Sequence, residues 1–293
     1  MSLTAASITT PLSADSPEDG PIIEIRPRRG WIAVDWRELF QNRELLFFFI
    51  WRDVKVRYKQ TVLGFAWAVL QPACNTLIFT LFFGRMAGFK SRVAEPYMLW
   101  VYVSMLAWTL IAAGITTGGM SLLNSQNLLT KIYFPRLFVP TATVGGALVD
   151  MAISFLFFLV IAACYGTNAH LAWTIIFVPV LVIPAIMIAL GSAYILSALT
   201  VSYRDFRFVI PFLSQFLMYG SFVMIPLPDL RLRWRLIGGL NPVFGIVDAF
   251  RSAVFGEPWH WRELGISLVT TTILFVLGLY YFRRTERRFA DIA

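Results

Sequence analysis

Four cations fall within eight residues of the stretch WRDVKVRYKQTVLG, at Arg52, Lys55, Arg57 and Lys59, with Tyr58 among them and a long apolar run directly after. Clustered guanidinium and ammonium groups suit a polyanion, phosphate above all, since Arg offers a planar fork of donors and Lys a compact charge. On a helix, Trp51, Val54, Tyr58 and Val62 share one narrow face, with Lys55 and Arg57 at its edges and Asp53 turned away. Such a helix lies in a membrane surface, apolar face down and cations snorkelling to headgroups. The simpler alternative is positive-inside anchoring of the following span, with no ligand. Asp150, in GGALVDMAISF, is the second group with chemical potential. A carboxylate facing lipid at that depth costs about 2.5–3.5 kcal/mol on insertion scales. It therefore faces protein or water, either in a proton or ion relay or as a hydrogen-bond acceptor holding Gly145 and Gly146 against a neighbouring helix. Gln71 and Asn75 are the other polar side chains singled out inside apolar segments.

Other chemistries find no support. Two cysteines, Cys74 and Cys164, sit in apolar runs, and the two histidines, His170 and His260, are far apart, so spacing assembles neither a disulfide framework nor a metal site. The sequence contains no G-x-x-x-x-G-K-[ST] and no G-x-S-x-G. The expectation is a chain that is not itself an enzyme and holds no cofactor.

The elements that must position these residues are membrane helices. The chain has 293 residues, 58% hydrophobic and 14% charged, with a mean hydropathy of +0.68, against about 25% charged in an ordinary soluble domain. Its apolar stretches are long and unbroken rather than alternating, which favours helices over a β-barrel. Six stretches are predicted to span: Thr61–Phe83, Tyr97–Thr117, Leu137–Tyr165, Leu171–Leu199, Phe208–Leu227 and Leu264–Phe282. Pro72, Pro179 and Pro184 within them predict kinks. With both termini in the cytoplasm, 17 of the 25 Lys and Arg fall on that side and 8 on the other, the bias that the positive-inside rule expects. The net charge of +8 is read in the same way, as membrane orientation and not as nucleic-acid binding. Trp100, Trp108, Trp173 and Trp261 near span ends read as interfacial belts, though aromatics lining a pathway could also stack on sugar rings.

The predicted organisation is a disordered cytoplasmic tail over 1–35, an interfacial helix region over 36–60, a six-helix membrane domain over 61–282 and a basic cytoplasmic tail over 283–293. The stretch from Pro228 to Glu263 is too long for a turn and half apolar. It reads as a re-entrant hairpin at about 228–260, broken between Gly238 and Pro242, or else as an ordinary extracytoplasmic loop.

Taken in order, WRDVKVRYKQTVLGFAWAVLQP with its Leu63-Gly64 step and Gln71-Pro72 kink, NSQNLLTKIYFPR from Asn124 to Arg136, SYRDFR from Ser202 to Arg207, and LNPVFGIVDAFR from Leu240 to Arg251 resemble the membrane subunits of bacterial ABC exporters for O-antigen, teichoic acid and capsule, of the ABC-2 type. The resemblance covers most of residues 40–285. It implies two copies of this chain with two copies of a separate P-loop ATPase, which carries the ATP and Mg, in the bacterial inner membrane. It further implies that Asn124, Gln126, Lys131, Phe134 and Arg136, with Tyr203, Arg204 and Asp205, couple to the ATPase. Arg52, Lys55, Arg57 and Lys59 would meet the ATPase and the pyrophosphate of a lipid-linked polysaccharide. Gly238, Gly239, Asn241, Pro242 and Arg251 would belong to the outer gate of a channel lined in part by spans one and five. The rival readings are an ion- or proton-coupled carrier using Asp150 and an ABC exporter of small molecules.

Overall fold

The computed structural model describes residues 40–59, 61–86, 88–89, 96–126, 134–165, 174–225 and 232–286, and among them there is no strand. The expected tail over 1–35, Lys131 and the last residues of the basic tail lie outside the described residues. In chain order the helices are α1 (Arg43–Tyr58), α2 (Ala66–Phe79, prolonged by a π-helical turn Thr80–Met86), α3 (Tyr97–Ala113, prolonged through Gly114–Gly118 to Gly119–Asn124), α4 (Phe138–Cys164), α5 (Val178–Ser202), α6 (Phe206–Gly220), α7 (Leu232–Gly239), α8 (Pro242–Phe255) and α9 (Trp261–Glu286).

Among the described residues, five helical runs are long and apolar enough to cross a membrane: Ala66–Met86, Tyr97–Asn124, Phe138–Cys164, Phe177–Ser202 and Trp261–Glu286. The expected span at Phe208–Leu227 is instead the 15-residue α6 followed by turns, about 22 Å of helix against a hydrocarbon core of about 30 Å. Two landmarks nevertheless place its ends far apart. Ile210 packs beside Gly119 near the end of the α3 run, and the carbonyl of Met224 accepts from the Tyr97 hydroxyl at that run's start, at 2.7 Å. The chain from Ile210 to Met224 thus runs alongside the α3 run, from beside Gly119 back towards Tyr97. Neighbouring helices agree: Phe177 and Trp259 meet at one end, with ring centroids 5.7 Å apart, and Tyr194 meets Phe282 towards the other, at 5.6 Å. So α5 and α9 run parallel, and the segment between them must return.

Small residues set the spacing of the central helices. Cβ atoms at Gly114 and Gly118 would overlap Ala189 and Ala193, and one at Gly278 would overlap the backbone of Gly191. Backbones approach this closely in membrane bundles only where side chains are minimal. Thr200 Oγ1 also donates across the interface to the Gly119 carbonyl at 3.1 Å.

Several predicted boundaries move. The first span begins at Ala66 rather than Thr61, after a turn in which Gly64 adopts φ +50°, a left-handed conformation that glycine tolerates best. Pro179 sits in the first turn of α5 and starts that helix instead of kinking it. The break expected between Gly238 and Pro242 lies between α7 and α8. Asn241 caps α8 by accepting from Val243 N at 3.0 Å, Pro242 occupies the first turn, and Gly256 at φ +69° ends it. Every residue of α8 from Val243 to Phe255 is buried, so this segment is part of the core and not a surface loop.

Candidate functional site

The site begins where α1 docks on α4. Gly145 and Gly146 leave α4 without side chains at two successive positions, and Ile50 and Val54 of α1 pack there. The buried stripe of α1 comprises Phe49, Val54 and Tyr58. Trp51 is 58% exposed, and Val62 lies beyond the helix end, fully exposed. The face predicted from Trp51, Val54, Tyr58 and Val62 is therefore corrected: α1 seats against protein through half of that set and turns Trp51 outward.

This docking brings Arg57 and Tyr58 to Asp150. Arg57 Nη1 donates to one carboxylate oxygen and the Tyr58 hydroxyl to the other. Burial pushes the Tyr58 phenol up, and the neighbouring carboxylate pushes it further, so the hydroxyl keeps its proton and donates. Arg52 is held by Asp53 at 2.9 Å. Lys55 and Lys59 are exposed and form no ion pair among the described residues.

The Arg57–Asp150 pair forms part of the wall of a cavity of about 420 Å³ between α2, α3 and α4. Gln71 and Asn75 also line it, together with Trp67 and Trp108. One wall depends on Pro72. A proline inside a helix removes the N–H that would bond the carbonyl four residues back. That carbonyl belongs to Ala68, and Ser154 Oγ donates to it at 2.6 Å. The kink in α2 is thereby fastened to α4.

At the end of the bundle holding Tyr97, buried charges are each met by a hydrogen-bond, ionic or ring partner. Arg251 is 1% exposed: its Nε donates to Ser104 Oγ at 2.6 Å, its Nη2 to the Val223 carbonyl, and its guanidinium lies 3.5 Å from the Trp100 ring centre. Trp100 Nε1 donates to Glu257 at 3.0 Å, His260 bonds Asp248 at 2.8 Å, and Arg235 pairs with Glu263 at 2.8 Å. Asn241 Nδ2 donates to Ser221 Oγ at 2.9 Å, tying the α7–α8 break to the end of α6. Gly238 and Gly239 are buried, and the Phe244 ring occupies the space a side chain at Gly238 would need.

The residues expected to couple to an ATPase gather at the opposite end. Asn124 and Gln126 are exposed, as are Tyr203, Arg204 and Asp205 in the α5–α6 turn. Phe134 differs: it is 5% exposed, with its ring edge-on to Phe49 at 5.1 Å, and offers no outward surface. Arg136 Nη1 donates to the Glu286 carbonyl at 3.0 Å. The sequence reading missed the partner of Arg57 and the two tryptophans as cavity walls. A signal for the second existed, since Trp67, Gln71 and Asn75 recur every four residues and so form one helical stripe.

Residues 44–255 match the family model for the ABC-2 type transporter. Over 255 residues the chain is 28% identical to the O-antigen export system permease protein RfbA of Myxococcus xanthus, a similarity covering 85% of this chain and 96% of that protein. Two proteins of the same name from Klebsiella pneumoniae are each 24% identical, over 248 and 242 residues, covering 82% of this chain and 92% of each relative.

Proposed function

The chain belongs to the ABC-2 type transporter family, and we propose that it is the membrane subunit of an ATP-driven exporter of a polysaccharide of the O-antigen kind. The observation that carries this reading is the similarity over nearly the whole length of relatives that bear that name. Two copies assemble with two copies of a separate ATPase in the inner membrane. Each copy crosses six times, with α6 and the turns after it as the fifth crossing, and both termini face the cytoplasm. The parallel course of α5 and α9 and the 17-to-8 bias of Lys and Arg support that topology.

The ATPase engages the exposed residues Asn124, Gln126, Tyr203, Arg204 and Asp205. Their movement reaches the bundle through the Thr200–Gly119 bond and through α1, whose Phe49 seats on Phe134. Lys55 and Lys59, exposed and without ion-pair partners among the described residues, face the anionic end of a lipid-linked substrate. The α7–α8 hairpin, anchored by Arg251, closes the outer mouth. A carrier driven through Asp150 has less support, because Arg57 and Tyr58 engage both of its oxygens.

Mild-detergent purification of the tagged chain from its native host tests this. The expected result is co-elution of a P-loop ATPase in equal amount, with loss of one cell-surface glycan on deletion of the chain. A chain that elutes alone and transports in liposomes on a proton gradient would overturn it.

A further inference from the structure

We infer that the cavity between α2, α3 and α4 is a contact site for a neutral, hydroxyl-rich stretch of the glycan, and that it does not bind the phosphate end. The inference rests on the export reading and adds the place and the chemistry of recognition. Three features of the cavity carry it.

The first is charge. Arg57 is the cation of the cavity wall, and Asp150 beside it cancels that charge while accepting its hydrogen bond. A diphosphate entering here would find no unpaired cation among the described lining residues and would have to displace Arg57's existing carboxylate partner. The second is hydrogen bonding. Gln71 is exposed and Asn75 half-buried, and neither amide has a hydrogen-bond partner among the described residues. Free amides at membrane depth persist where they line a cavity holding water or a ligand. An amide both donates and accepts, as a sugar hydroxyl does, whereas a phosphate oxygen only accepts. The third is shape. Trp67 stands one turn before Gln71 on the same stripe and is 50% exposed, while Trp108, 5% exposed, lines the cavity from α3. Indole faces take the CH faces of sugar rings without demanding one register, which suits a chain in motion. The volume of about 420 Å³ lies within the range of small-ligand sites, about 300–1,000 Å³.

The test uses the full chain in lipid nanodiscs, following tryptophan fluorescence. Its probes are the neutral glycan released from the lipid of the host's own surface polymer and sodium pyrophosphate. The glycan is expected to change the signal saturably, pyrophosphate to leave it unchanged, and Gln71→Leu with Asn75→Leu to weaken glycan binding about ten-fold or more. Gln71→Lys, which gives the cavity a net positive charge, is expected to admit pyrophosphate. Trp67→Ala provides a second loss variant should the double substitution fail to insert. Equal glycan binding by the loss variants, or competition by pyrophosphate in the wild-type protein, overturns the site. The export reading is scored separately. If deleting the chain leaves every surface glycan in place, that reading fails whatever the nanodiscs show. If deletion removes a glycan that the double variant restores at normal amount and chain length, the site fails while export stands.

Discussion

Arg57 and Asp150 are each tolerable at membrane depth because of the other: removing Arg57 leaves Asp150 with Tyr58 alone, and removing Asp150 leaves Arg57 with no ion-pair partner among the described residues. Arg57→Ala and Asp150→Ala are each expected to cost about 1.5–3 kcal/mol, and the double variant clearly less than their sum. Thermal unfolding of the purified protein reads both, and simple additivity would mean that the contact carries no coupling. The second residue-scale case is Ser154. Its bond to Ala68 exists because Pro72 has no N–H, so Ser154→Ala is expected to destabilise by about 0.6–2 kcal/mol. Pro72→Ala restores the helix's own donor, and Ser154→Ala should then cost little in that background. An undiminished cost would show that the bond to Ala68 is not what Ser154 supplies. These pairings were illegible in the sequence. Arg57 and Asp150 lie 93 residues apart and Ser154 and Ala68 lie 86 apart, and no periodicity along one helix reports on a contact between two.

Between elements, close approach decides what a glycine tolerates. Gly114→Ala and Gly278→Ala would push a methyl group into the backbone of Ala189 and Gly191, with an expected cost of about 1–3 kcal/mol each. Nothing lies within 4 Å of a Cβ at Gly220 or Gly265, so alanine there should be neutral or mildly stabilising, and comparison of the four melting temperatures checks the contrast. The junction of α8 and α9 has its own sensitivity to pH. The hydrogen bond that Asp248 accepts from the ring raises His260 above its usual 6.5, with Glu263 acting in the same direction and burial and Arg235 against it. Burial also raises the nearby Glu257 carboxyl. A raised histidine stabilises fully below about pH 6.5, and that contribution fades as pH rises through its folded value. Melting temperature is therefore expected to fall between pH 6 and pH 8, and His260→Gln to flatten that part of the profile. The helical class and the rough placement of the helices were legible because long apolar runs dictate them. The ends were not: a positive φ at Gly64 and a proline in a first turn act over single residues, beneath the resolution of hydropathy.

At the scale of the molecule, the open quantity is how many times the chain crosses. Six crossings put both ends on one side, so a fluorescent protein fused after Ala293 should glow and an alkaline phosphatase fused there should stay inactive. The reverse pattern would mean five crossings. Apolar length in the sequence predicted a span at Phe208–Leu227, but the helix formed there has only 15 residues, because its course ends in turns that hydropathy does not report. The latch between α1 and α4 also bears on how the chain is made. Arg57 leaves the ribosome 93 residues before Asp150, an interval of roughly 5–20 s at elongation rates of about 5–20 residues per second. Throughout that time α1 has no carboxylate to meet while the first two spans enter the bilayer. Its docking is thus a late step of biogenesis, completed by the third span, and a nascent chain stopped before residue 150 would leave α1 unfastened.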